Sequence, residues 1–273
     1  VKKRHPSPSL SESELNALTS DLDQIHHDVG QPALGAAVAE WTDEIRSAPD
    51  PRPSRRAFLL GTGGAVAGIG LLAALGTAPG RAAAQITRSA GSGSGSGSGS
   101  ASPTAGLTGD LAVAATAASL ENLAVSAYTA ALQAAQAGKF GTVPPAIATF
   151  VTTAMQQHRD HAGAWNSLLV AAGKKKVTVT DPALTPTVNQ KFAQVTTLTQ
   201  LAQLALLLEN TAAQTYQVEA AKLQHKKAIT VAATIQPVEM QHAAILYYVL
   251  GEYPGVQDAG GNPVAFNPTD MAA

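Results

Sequence analysis

One stretch of the chain occurs twice. Leu120-Glu121-Asn122 returns as Leu208-Glu209-Asn210, and each glutamate is followed two helical turns later by a tyrosine, Tyr128 and Tyr216. Between and after these copies lies a second kind of pair. His158 and His161 stand three residues apart, as do Glu239 and His242. Residues three apart on a helix point the same way, so each pair can reach one point in space. Glu121 and Glu209 sit in apolar surroundings, AASLENLAV and LALLLENTAA. An unpaired buried carboxylate there would cost several kcal/mol to ionise. A fold for this chain must therefore bring cations or protons to both glutamates.

The segments carrying these residues are helical in pattern. A first helix is expected over 110–137, with Asp110 as cap and Gly138 as stop. A second opens after Pro144-Pro145 and ends near Gly173. A third is expected over 187–223 and a fourth over 228–250, stopped by Gly251. Lys174 to Pro182 forms the longer central crossover. Four long helices joined in this way describe an all-α antiparallel four-helix bundle. The alanine-rich composition, with only 4% aromatic residues, favours packed helices over a sheet.

What precedes this unit differs in kind. Residues 1–50 read as a polar, weakly structured N-terminal extension, with a helix start at Ser11 and a second short helix between Asp28 and Ser47. Residues 51–84 hold Arg55-Arg56-Ala57-Phe58-Leu59, a Gly/Ala-rich apolar run and Ala82-Ala83-Ala84. Paired arginines, Phe58, a weakly hydrophobic core and small residues at a cleavage point resemble a twin-arginine export signal. That resemblance implies the twin-arginine export machinery as a partner. It also implies a periplasmic, envelope or extracellular location, with membrane contact only through this segment if it is not cleaved. A plain membrane anchor is the other reading, because the run is long enough to span a bilayer. Residues 85–106 contain GSGSGSGSGS and form a flexible linker. The folded domain is expected over 107–252, with an irregular tail over 253–273.

Net charge is −1 and there are no cysteines. No strong field recruits nucleic acid or anionic lipid. Disulfides, thiolate catalysis and cysteine metal sites are excluded.

The order Glu, His-x-x-His, Glu, Glu-x-x-His across the four helices resembles the ferritin-like superfamily, in particular its divergent exported bacterial members. That family's site takes a Glu from each of two helices and Glu-x-x-His from each of the others. The resemblance implies a metal centre built from Glu121, His158, His161, Glu209, Glu239 and His242, holding one or two ions of iron, manganese or zinc. It implies redox chemistry directed at iron or peroxide, or metal binding alone. The chain departs from the pattern at His158, where the family would place a glutamate. Asp160 lies on another face and does not replace it. Three carboxylates facing two divalent ions leave a net charge of +1, so an oxidised pair is less well stabilised, and a single ion on the Glu239/His242 side is a further expectation. Tyr128 and Tyr216 either hydrogen-bond to these ligands or serve as core residues, the simpler expectation being packing. Non-metal alternatives stand beside this reading. His158 and His161 read alone suit a polar pair near a helix surface, Glu239 and His242 a buried hydrogen bond, and the whole a non-catalytic bundle with a structural or stress-protective envelope role. A bundle binding a small apolar molecule between its Ala-rich helices is the third.

Overall fold

The computed structural model describes residues 11–47 and 102–250. The twin-arginine-like segment with Arg55, Arg56 and Phe58, most of the Gly/Ser linker and the tail lie outside the described residues. Among the described residues every regular element is helical. In chain order these are α1 (Glu12–Ile25), a π-helical turn (His26–Gly30), α2 (Gln31–Ser47), α3 (Gly109–Gln136), α4 (Pro145–Ala171), α5 (Thr185–Ala193), α6 (Leu198–Ala220) and α7 (Lys226–Leu250).

The long helices pair as two hairpins, α3 with α4 and α6 with α7, while the seam between α3 and α6 is sparsely packed. Glycines end the first two, as the sequence predicts: Gly138 (φ 76°) and Gly173 (φ 70°) take the left-handed conformation that glycine enters without steric cost. Asp110 does not cap α3. Its carboxylate accepts from the backbone N–H groups of Gln224 and His225, tying the α6–α7 turn to the start of α3. The expected third helix is two helices. Thr197 forms a reciprocal capping box with Gln200 and starts α6 afresh, leaving α5 as a short piece of the crossover. The crossover is held down by Asn122 and Asn166, whose side-chain amides both donate to the carbonyl of Val177.

Residues 12–47 are not a weakly structured extension. The helix start at Ser11 is real, a full capping box with Glu14, but α1 packs on α4, and α2 packs on α4 and α7. Leu15 and Leu22 bury against one end of the bundle, and Leu34, Ala37 and Trp41 against the other. The extension looks polar because only one stripe of each helix is apolar, and that stripe is what the bundle covers. Trp41, stacked on His225 with centroids 4.8 Å apart, is 4% exposed. Around it Glu44 pairs with His225 at 2.5 Å, and Lys227 pairs with Glu40.

The apolar interior is divided. One large cluster gathers Trp41, Trp165, Leu168, Val231 and Ile235, and the other large one gathers Leu22, Phe150, Met155, Ile245 and Leu246, while a third, small cluster joins Leu123 to Leu184 and Val188. Each long helix runs from one cluster to the other, and each carries its polar residues at the level between them.

Candidate metal centre

That polar level contains all six residues singled out in the sequence. Glu121 comes from α3, His158 and His161 from α4, Glu209 from α6, and Glu239 and His242 from α7. None is more than 3% exposed. The surface-pair reading of His158 and His161 is thereby overturned: helical repeat places them inward, while Arg159 on the same helix points out, bonding to exposed Gln156. Pro237, two residues before Glu239, has no N–H to bond within α7, so its helix is already interrupted beside the site.

The side chains fall into two overlapping groups. Ligand atoms of Glu121, His158, His161 and Glu239 lie within 4.8 Å of one another, and so do those of His158, Glu209, Glu239 and His242. Glu239 and His158 belong to both. His161 Nδ1 is 3.0 Å from Glu239 Oε1 and 3.7 Å from Glu121 Oε2. On the other side His242 Nδ1 is 3.3 Å from Glu209 Oε2 and 3.8 Å from Glu239 Oε2. The ring of His158 spans the middle, with Nδ1 2.7 Å from Glu121 Oε2 and Nε2 3.3 Å from Glu209 Oε1.

The tyrosines cross over. Tyr128 donates to Glu209 and Tyr216 donates to Glu121, each reaching from one hairpin to the glutamate of the other. They are therefore not plain packing residues. Burial first, and the facing glutamates next, push both phenols well above their ordinary range, so both stay protonated donors. Trp165 Nε1 donates to the Tyr216 hydroxyl at 2.9 Å.

Electrostatics set the protonation. Burial opposes ionisation of Glu121, but His161 and His158 hold it down to about 2. Burial likewise opposes ionisation of Glu209, which His158 and His242 hold well below the carboxylate range. Burial disfavours charge on the imidazoles, yet Glu239 and Glu209 raise His158 far above its usual value, and Glu121 and Glu239 raise His161 to about 9. Burial also opposes charge on His242, which Glu209 raises. Without metal, the three imidazoles and the carboxylates of Glu121 and Glu209 thus favour one another's charged forms.

The balance is geometrically incomplete. Both oxygens of Glu239 and both ring nitrogens of His161 are buried without a hydrogen-bond partner, and the 3.0 Å approach of His161 Nδ1 to Glu239 Oε1 is an ion-pair contact only. Buried polar atoms are normally satisfied. Four orphaned atoms on two side chains that meet at His161 Nδ1 and Glu239 Oε1, amid further carboxylates and imidazoles, fit a divalent transition metal.

Sequence reasoning missed two supporting residues. Gln157 is buried, and its Oε1 lies 2.8 Å from His242 Nε2. That bond fixes the proton on Nε2 and leaves Nδ1 turned to the carboxylates, the usual way an outer group orients a ligating imidazole. Behind His161 sits His26, buried in the π-helical turn, with ring centroids 5.5 Å apart. His26 Nε2 contacts Asp160 Oδ2 at 3.3 Å and Gln31 Nε2 at 3.0 Å. Gln157 was adjacent to a candidate ligand and could have been found. His26 could have been found only by recognising the apolar stripe of Leu15, Leu22, Leu34 and Trp41. A family model described as a ferritin-like domain matches residues 109–252. No curated protein and no solved structure matches the chain.

Proposed function

The chain belongs to the ferritin-like domain family, and on that premise we infer that it is a four-helix metal-binding bundle whose site supports redox chemistry on iron or on a peroxide. The observation that carries the reading is the orphaned set, Glu239 and His161, inside two overlapping four-residue groups. Glu121, His161 and Glu239 would hold one ion, and Glu209, His242 and Glu239 a second, with His158 at the centre. Iron or manganese would supply one-electron redox chemistry and a coordination position for an oxidant, whereas zinc would supply Lewis acidity alone.

The chain's own residues do the rest. Tyr128 and Tyr216 hold one oxygen of Glu209 and of Glu121, so those carboxylates present their other oxygen inward. Gln157 orients His242. The two large apolar clusters on either side exclude bulk water, which strengthens every charge interaction between them. Loading two divalent ions requires the three imidazoles to give up their protons, so uptake is favoured as pH rises. Elemental analysis of the full chain, purified without affinity metals and compared with Glu239→Ala/His242→Ala, tests the reading. One or two ions per chain, lost in the variant, supports it. Absence of metal even after anaerobic Fe(II) addition sinks it.

A second reading has its own observation. His158 lies between Glu121 and Glu209 and bonds to both, so a proton-carrying ring already occupies the place where the family pattern has a carboxylate. On that reading the bundle is non-catalytic and serves a structural or stress-protective role in the envelope. The same elemental analysis separates the two.

Export by the twin-arginine route, read from Arg55, Arg56 and Phe58, completes the proposal. The packing of α1 and α2 on the bundle sets a condition on it. A chain with 51–84 across a bilayer would hold residues 12–47 and 109–250 on opposite sides and could not keep the Trp41–His225 stack. The cap therefore belongs to the folded chain before transport and detaches on export. Cell fractionation with an Arg55→Lys/Arg56→Lys variant tests this, the variant being retained inside and the unaltered chain exported. Equal distribution of both would overturn it.

A further inference from the structure

The two hairpins meet along two sparsely packed seams, α3 against α6 and α4 against α7. The α3–α6 seam holds cavities of about 90 and 50 Å³, walled mostly by alanines and other apolar side chains. The α4–α7 seam is different in kind. Among the described residues, the buried side-chain polar atoms without a hydrogen-bond partner belong to Thr19 of α1, His26 of the π-helical turn, Gln157 and His161 of α4 and Glu239 of α7, and none belongs to α3 or α6. Gln157 crosses this seam to reach His242, and His161 meets Glu239 across it. A charge moving into a protein must exchange its water for protein polar atoms, because burying it bare is costly. The alanine-walled seam offers few such atoms, and the α4–α7 seam offers a series of them ending at Glu239.

The N-terminal cap covers that second seam. α1 and α2 each pack on both α4 and α7. Thr19, between Leu15 and Leu22 on the inward face of α1, is 2% exposed. The ring of His26 rests on His161, and its Nε2 contacts Asp160, whose side chain is partly exposed. Among the described residues no backbone hydrogen bond joins the cap to the bundle. Its polar ties are side-chain pairs at the edges, His26 with Asp160, Glu44 with His225 and Glu40 with Lys227. Residues 48–101 separate the cap from the bundle along the chain. We propose that the cap is a gate. Docked, it holds His26 against His161 and seals the α4–α7 seam. Displaced, it opens that seam as the passage by which solvent and a divalent ion reach the candidate centre. The gate rests on the metal reading for what passes through it, and its closure over His161 is measurable without metal.

Two rates test it on the chelator-treated full chain. Anaerobic stopped-flow uptake of Co(II) reads entry. Deuterium exchange at the ring carbon between the two nitrogens of His161, followed by mass spectrometry without metal, reads exposure. Leu22→Ala/Trp41→Ala loosens the cap and alters none of the six candidate ligands. It is expected to raise both rates about tenfold or more, the scale of removing large buried side chains from the docked state, with helical circular dichroism retained. The chain has no cysteine, so Glu40→Cys/Lys227→Cys, at an ion pair between α2 and α7, can be joined by a thiol-reactive linker containing a cleavable disulfide. Cross-linking is expected to slow both rates, and reduction to restore them. This arm removes no packing and holds even where the loosened variant fails to fold. Rates unchanged by loosening and by cross-linking overturn the gate. Absence of Co(II) uptake in every form fails the metal reading, while exchange at His161 still supports or overturns the gate.

Discussion

The hairpin α3–α4 and the hairpin α6–α7 place their polar side chains at the same relative positions, but they differ at one of them and hold the rest differently. In α7 a carboxylate, Glu239, occupies the position shared between the two ligand groups, and in α4 the corresponding position is His158. Tyr216 is braced from behind by Trp165, whereas Tyr128 stacks on His158, with centroids 5.6 Å apart, and donates only to Glu209. His242 is oriented by Gln157 from the opposite hairpin, while His161 has no hydrogen-bond partner and rests against His26 of the N-terminal cap. The lesson lies in the charge. With Glu at both shared positions the site would hold four carboxylates and two imidazoles and would need metal ions to exist buried. With His158 it can neutralise itself with protons, which makes the metal-free bundle tolerable and the metal less indispensable.

The largest test removes what the halves share. Glu239 stands in both groups, so Glu239→Ala is expected to bring metal content to background. His161→Ala and His242→Ala should each take only one group and leave a single ion, readable by elemental analysis. Restoring the symmetry comes next. His158→Glu is expected to tighten metal binding and to destabilise the chelator-treated protein, so the gap in melting temperature between loaded and stripped forms widens. A gap that narrows would show that His158 is itself the better ligand. Third, Gln157→Leu should cost roughly 10–100-fold in metal affinity through His242, with little change at the other group. Fourth, Tyr216→Phe and Tyr128→Phe each leave a buried carboxylate oxygen short of a donor, worth roughly 1.5–3 kcal/mol. Tyr216→Phe should be the costlier by denaturant unfolding, because it also orphans Trp165.

The smallest effect is with pH and concerns the stripped protein. His161, held at about 9 against an ordinary 6.5, contributes stability that is complete below 6.5 and is lost as pH rises through about 9. Glu121, held at about 2 against an ordinary 4.5, contributes stability present above 4.5 and lost as pH falls through about 2. The melting temperature is expected to peak between about 4.5 and 6.5 and to fall by a few degrees toward pH 9. Metal uptake should follow the opposite course above pH 6.5, because there the protons leave more readily.

The six candidate ligands were legible because helical periodicity is local: a repeated Glu amid apolar residues, and pairs three apart, fix direction before any tertiary contact forms. The stops at Gly138 and Gly173 were legible for the same reason. The break between α5 and α6 was not, since the Thr197–Gln200 box lies inside a run that also reads as helix.

Sequence by itself therefore determined the long helices that carry the site, the face on which each carries its polar residues and the chemistry of that face. Tertiary structure alone decided which glutamate meets which tyrosine, that His158 joins Glu121 to Glu209, and that Gln157 serves His242 across the bundle. It also decided that residues 12–47 are a cap and not a tail. The physical reason is one of range. A helix face is set by residues three and four apart, whereas these pairings depend on how whole helices approach, which is settled by burying apolar stripes far apart in the chain.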